Sequence, residues 1–440
     1  MLNAIFSNYL ILIVILGYSF FLKKIIFFKN KITLENIDFL YGLTFIIFIS
    51  LFVNFFFPLK YFTVIVFIIG FLLFVYAAYK KIININFILY FFIITFTTFV
   101  SFYNIHNVDS PMYHLQIIKW LSLHKISFGL TNLEIRLGFN SSWHSLVALL
   151  DLTINKFTAK YYISAVVLSA IIYESIRYKL KFNYSDIFLY LTISFLIFFS
   201  YLHPFKNGTI LNHLGNPERD IVSMLFFFLI IYIFLKVLEN IDNKNYINLL
   251  FLSVFLCLTS RLLMLPTLIL LTFVLIKNKN YKLIKLNTIF LFIVSIFWVL
   301  RTFILSGCLF FPFYQTCFKT GWSVKLEEVK FFVEEAMRIS RTLPTRNGVN
   351  DIDFTLNSYN WVGQWINDYF FSTALLQAGS LIIIFTCTLL VVLKFTNKIK
   401  LKNIFEKSDL IILASLLTTL FLWFNAPEIR YGLGPLISLP

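Results

Sequence analysis

Apolar runs of about 20 residues recur from one end of this 440-residue chain to the other. A helix needs about that many to cross the ~30 Å hydrocarbon core of a bilayer. The runs are continuous rather than alternating, which excludes a transmembrane barrel. Hydrophobic residues make up 59% of the sequence and charged residues 13%, against about a quarter charged in an ordinary soluble domain. A water-exposed surface cannot be built from such a composition, so the chain reads as an all-α integral membrane protein.

Membrane helices are expected near 2–22, 38–57, 62–79, 84–103, 160–176, 185–203, 220–236, 246–260, 263–277, 286–305, 373–394 and 409–425. A thirteenth begins at Tyr431, and the chain is expected to be cut inside it. The first run has no basic leader and no small-residue cleavage site, and Lys23 and Lys24 follow it, so it reads as a retained span.

Five regions result: 1–103, a four-helix membrane segment; 104–159, a first outer loop; 160–305, a membrane core; 306–372, a small outer domain; and 373–440, C-terminal membrane helices. The net charge of +16 does not point to nucleic acid, because the cations sit in short clusters between spans. With connections assigned alternately to two sides, twenty of the 37 Lys and Arg residues fall in short loops on one side. By the positive-inside rule that side is cytoplasmic. Asp109, Arg219, Arg261, Arg301, Glu428 and Arg430 then come together at the outer face of a plasma or inner membrane. Any one of them could simply mark a helix end; their convergence suggests a functional cavity.

The segment 104–159 is too polar to span. Ser110 suits a helix N-cap and Pro111 the first helical position, predicting an interfacial helix to Leu123. Met112, Leu115, Ile118 and Leu121 would face inward, with Gln116, Lys119 and Ser122 outward. A second helix, through Leu152, should lie flat or dip in, with Trp120 and Trp143 as headgroup-level anchors. Asp109 could be a base acting on a substrate from the lipid phase, or a cap or solvated loop residue; His114 and His144 are equally ambiguous. In 306–372, Glu327, Glu328, Glu334, Glu335, Arg338 and Arg341 read as a solvated helix face. Cys308 and Cys317 share the outer side, where disulfides persist; a bond and two buried free thiols are both open. The cysteine and histidine spacings offer no zinc site, and a divalent cation is neither indicated nor excluded.

Two blocks carry a family resemblance: Asp109-x-x-x-Tyr113-His114-Leu115, and Gly129-Leu130-x-Asn132-Leu133-x-x-Arg136-Leu137-Gly138-Phe139-Asn140-Ser141-Ser142-Trp143. Ser306-Gly307 with Pro312, and Pro427-x-x-Arg430-Tyr431-Gly432, add to them. In these the chain resembles bacterial membrane glycosyltransferases of the GT-C superfamily. The resemblance implies about 12–13 transmembrane helices, with interfacial helices flanking a catalytic carboxylate in the first large outer loop. It also implies sugar transfer from a polyprenyl-phosphate donor to an outward-facing glycan or lipid acceptor, in cell-envelope polysaccharide synthesis. Asp109 would be the base; Tyr113, His114, Arg136, Asn140, Trp143, Arg219, Arg261 and Arg430 would bind substrate. Several relatives show a pair of acidic residues where this chain offers Asp109 alone. No nucleotide-binding fingerprint is present, which suits a lipid-linked donor. The competing readings are a lipid-linked glycan transporter or flippase and an O-antigen-polymerase-like protein. A carrier would place ionisable residues at helix midpoints and would show matched broken helices.

Overall fold

The computed structural model describes residues 1–27, 32–102, 109–154, 157–177, 185–186, 188–189, 214–240, 243–277, 285–342, 345–370 and 407–427. The regular structure among these residues is helical, apart from one hairpin of two-residue strands, Thr153–Ile154 and Phe157–Thr158. The helices are α1 (Leu2–Phe27), α2 (Phe39–Asn54), α3 (Lys60–Tyr79), α4 (Phe87–Phe102), α5 (Leu115–Leu123), α6 (Ser142–Leu150) and α7 (Ile163–Arg177). They continue with α8 (Arg219–Glu239), α9 (Lys244–Ser260), α10 (Leu268–Lys277), α11 (Lys285–Ser306), α12 (Leu326–Arg341), α13 (Trp361–Trp365) and α14 (Lys407–Phe424).

Among the described residues, five stretches are long and apolar enough to cross a membrane: Leu2–Phe27, Asn36–Asn54, Lys60–Tyr79, Arg219–Glu239 and Leu286–Ser306. Shorter apolar helices occupy Phe87–Phe102, Ile163–Ile176, Lys244–Ser260, Leu262–Lys277 and Ile411–Phe424. Ten of the twelve expected spans therefore coincide with helices. The two at 185–203 and 373–394 lie largely or wholly outside the described residues, as does the segment from Tyr431. The chain is an all-α membrane protein.

Hydropathy does not tell a helix that faces lipid from one that faces protein, because both are apolar. Packing does. In α8 83% of the most apolar window is buried inside the protein, against 28% in α3. α1 packs on α2, α3 and α4. A Cβ on Gly17 would collide with the carbonyl oxygen of Gly70, and one on Gly42 with that of Ile15. Small residues thus let backbones touch where no hydrophobic force separates protein from lipid.

α6, expected to lie flat or dip in, is enclosed by protein. Every residue from Ser142 to Leu150 is buried, and the helix is enclosed by α2, α3, α5, α8 and α9. Trp143, expected as a headgroup anchor, is fully buried. α5 buries Ile118 and Leu121 as expected, together with Ile117, and exposes Gln116 and Lys119, but Met112, expected inward, is half exposed. The inward face of its first turn, a π-helical stretch from Ser110 to His114, carries Ser110 and His114 instead. The apolar spacing pointed to Met112 because it could not register two polar residues chosen for burial.

In the small domain, Cys308 and Cys317 form a disulfide. Arg341 is not part of a solvated face. Its Nη1 donates to Thr355 O at 2.6 Å, its Nε to Asn425 O at 3.1 Å, and the guanidinium lies 4.9 Å from the Trp361 ring centre. Burial lowers its pKa. It ties α12 to the end of α14.

Candidate functional site

The polar residues of the first turn of α5 meet the start of α8. Asp109, partly exposed, precedes Ser110, whose hydroxyl lies 3.0 Å from Asn216 Oδ1 and 3.3 Å from Glu218 Oε1. Asn216 and Glu218 are fully buried. Two residues on, Asp220 forms a buried ion pair with Arg261, the residue that closes α9. The turn that carries Asp109 thus meets the start of α8, where Glu218 and the Asp220–Arg261 pair lie.

Ser110 does not cap the helix as the sequence suggested; its hydroxyl is turned across to α8. Pro111 does stand in the first turn, where it needs no N–H.

One turn further, His114 Nδ1 lies 2.8 Å from His144 Nε2, both rings fully buried. Only one of these nitrogens can carry the shared proton. One ring therefore donates and the other accepts, each with its remaining ring nitrogen turned away from the shared bond. Burial holds the His144 pKa down to about 3, with Arg219 lowering it further, Asp220 raising it and Arg301 lowering it. His144 is neutral at physiological pH.

Aromatic rings bind these groups together. The Arg219 guanidinium stacks 4.0 Å from the Phe139 ring centre. Phe139 packs against Tyr113 at 6.2 Å, and Arg136 lies 5.9 Å over the Tyr113 ring. Arg136 is partly exposed, 3.9 Å from Glu134.

Asn140 faces another direction. Its Nδ2 donates to Trp298 O at 2.7 Å and Thr302 Oγ1 at 2.9 Å, and its Oδ1 accepts from Arg301 Nε at 2.9 Å. Every polar atom of that side chain is engaged with α11, so it fastens Arg301 in place. Trp143 sits in the core beside Phe226. Of the residues singled out from sequence, Asp109, Tyr113, His114, Arg219 and Arg261 are brought together, with Arg136 at the rim. Glu428 and Arg430 lie outside the described residues.

Sequence reasoning passed over Asn216, Glu218 and Asp220. Their signal was present in Asn216-Pro217-Glu218-Arg219-Asp220, a run of charge opening an apolar helix. Carboxylates at helix N-termini are ordinarily explained by the helix dipole, and that explanation hides a site. No group of three metal-ligating side chains occurs among the described residues.

Comparison with protein-family models gives a match over residues 1–437, nearly the whole chain, to a family described as "Domain of unknown function (DUF8201)". The chain belongs to the DUF8201 family. No curated protein and no solved structure matches it. The family match spans both halves of the cluster, the Asp109–His114 turn and the Asn216–Asp220 run.

Proposed function

We propose that this DUF8201 protein is a GT-C-like membrane glycosyltransferase that moves a sugar from a polyprenyl-phosphate donor to an acceptor hydroxyl at the outer face. The observation that carries the reading is the contact of Ser110, the residue after Asp109, with the buried Glu218 at the start of α8. It brings a second acidic residue to the turn that carries Asp109.

The three carboxylates are suited to different tasks. Asp220 is neutralised by Arg261. Glu218 is fully buried and close to Ser110, which suits it to orienting the turn. Asp109 is reachable from outside the protein, which suits it to the base. In the transfer, the acceptor oxygen bonds to the anomeric carbon of the sugar while its proton passes to the Asp109 carboxylate. The bond from that carbon to the phosphate oxygen breaks, and polyprenyl phosphate leaves with the electron pair. Such general base catalysis contributes about 10²–10⁴-fold.

A carrier reading would call for ionisable groups at helix midpoints. Of the buried charges among the described residues, Lys23, Asp38, Glu174, Glu218, Asp220 and Arg301 lie within a few positions of helix ends, which favours the enzyme. The Cys308–Cys317 disulfide belongs to the segment that packs on the same end as residues 129–132, and this supports an oxidising, outward-facing side.

The test is Asp109→Asn. Asn is as good an N-cap as Asp, so the fold is kept while the proton acceptor is lost. At matched membrane levels, transfer from a polyprenyl-phosphate donor, or restoration of a surface glycan in a deletion strain, should fall by about 10²-fold or more. Near-normal activity would remove Asp109 from the mechanism and the enzymatic reading with it.

A further inference from the structure

A second buried cation at this end, Arg301 of α11, is held in a different way from Arg261. It is 5% exposed. Its Nε donates to Asn140 Oδ1 and its Nη1 to Asn54 Oδ1. Both acceptors are neutral amides, and Nη2 makes no hydrogen bond to a described residue. Nearby, Asp220 neutralises Arg261; no carboxylate among the described residues does the same for Arg301. A buried charge without a counter-charge is expensive to maintain, and two asparagines aim the guanidinium without cancelling it.

Arg301 lines a cleft together with Asn54, Trp120, His124, Lys125 and Phe139, and no acidic side chain contributes to its wall. The cleft is built by one asparagine. Asn54 accepts from Arg301 while its Nδ2 donates to Leu121 O at 3.3 Å and His124 O at 3.0 Å. The same side chain therefore sets the buried cation and the turn that presents His124 and Lys125 at the mouth. On either side of Asn54 in sequence, Phe52, Phe56 and Phe57 are exposed, giving the cleft an apolar flank of the kind that faces acyl chains.

We infer that this cleft binds a phosphate ester, the headgroup of a polyprenyl phosphate, with Arg301 as its buried cation and Lys125 at its entrance. The chemistry calls for an anion: a deep guanidinium with a donor to spare, a second cation at the rim and no carboxylate to compete. The exposed phenylalanines select a lipid-borne phosphate over a soluble one. Phe139 both lines this cleft and packs against Tyr113 and Arg219, so a phosphate here lies next to the carboxylate cluster, where the leaving group of the transfer departs. The assignment of the anion to the donor lipid rests on the transferase reading; the anion site itself does not.

The experiment measures binding to the full chain in nanodiscs of neutral lipid, with three probes: a short-chain polyprenyl phosphate, the polyprenol of equal length, and inorganic phosphate. Two variants accompany the wild type. Asn140→Asp places a carboxylate on Arg301, and Lys125→Glu reverses charge at an exposed position where folding is not at stake. Polyprenyl phosphate should bind, with affinity falling as salt rises. Asn140→Asp should weaken it about tenfold or more, as loss of a charge-assisted contact implies, and Lys125→Glu should weaken it less. Polyprenol should bind more weakly than either. Inorganic phosphate binding as tightly as the lipid would make this a soluble-anion site and overturn the lipid assignment. Unchanged affinity in both variants, or equal binding of polyprenol, would overturn the site. Asp109→Asn should bind the lipid as wild type does, so an active Asp109→Asn protein with an intact Arg301 site would sink the transferase reading alone.

Discussion

Asn140 gives the sharpest test of how this end of the bundle is held, because each bond it makes can be weighed separately. Asn140→Ala removes the oxygen that accepts from Arg301 Nε, leaving part of a buried guanidinium without a partner. A hydrogen bond to a charged group is worth about 1.5–3 kcal/mol. The two donated bonds matter less, since Trp298 O also accepts from Thr302 Oγ1 at 3.0 Å and keeps a partner; their loss costs about 1 kcal/mol together. The bond from Trp298 Nε1 to the Asn140 carbonyl at 2.7 Å belongs to the main chain and survives. Asn140→Ala should therefore destabilise by about 3 kcal/mol. Asn140→Asp keeps the oxygen and turns the Arg301 contact into an ion pair at the expense of the two donated bonds, so it should cost about 1 kcal/mol. The assay is the apparent melting temperature of purified protein in one detergent, with tryptophan emission followed through the transition. The Ala variant should melt well below the Asp variant, and the Asp variant close to wild type. An Asp variant less stable than the Ala variant would refute the idea that Asn140 serves chiefly to hold Arg301.

The remaining predictions concern the carboxylate cluster, the buried histidine and the orientation. Asp220→Ala strands Arg261 and should destabilise by about 3–5 kcal/mol; adding Arg261→Met should recover much of this, and fully additive losses would show that the ion pair is not the cause. His144, with its pKa held to about 3 in the fold and about 6.5 when unfolded, binds a proton more readily in the unfolded chain. Its contribution to stability is whole above pH 6.5 and is lost as pH falls toward 3, by about 2 kcal/mol at pH 5. Melting at pH 5 and pH 7 should therefore differ more in the wild type than in His144→Asn, and equal differences would contradict this. A cysteine replacing Lys80 should be shielded from an impermeant thiol reagent in intact cells and one replacing Asn350 labelled; the reverse pattern would move Asp109 to the cytoplasmic side.

Where the chain is helical was legible from sequence because crossing a bilayer is a local requirement. Each run of about 20 residues must by itself be apolar enough to leave water, so ten expected spans coincide with helices in the structure. The first turn of the outer loop was legible for a similar reason, since Pro111 has a conformational preference that needs no partner. Which polar groups meet was not legible. Ser110 reaches Glu218 across 108 positions and Asn140 reaches Arg301 across 161, and neither spacing follows any periodicity of helix or strand. Trp143 shows the same limit in apolar form: amphipathic chemistry fits a headgroup layer and a protein core equally well, and only the enclosure of α6 decided for the core. The local free energy of each segment determined that this chain enters the membrane as helices. The packing of those helices decided that the turn carrying Asp109 meets Glu218 and that Arg301 has no carboxylate partner among the described residues, because a charge's partners are set by distance in space and only indirectly by position in the chain.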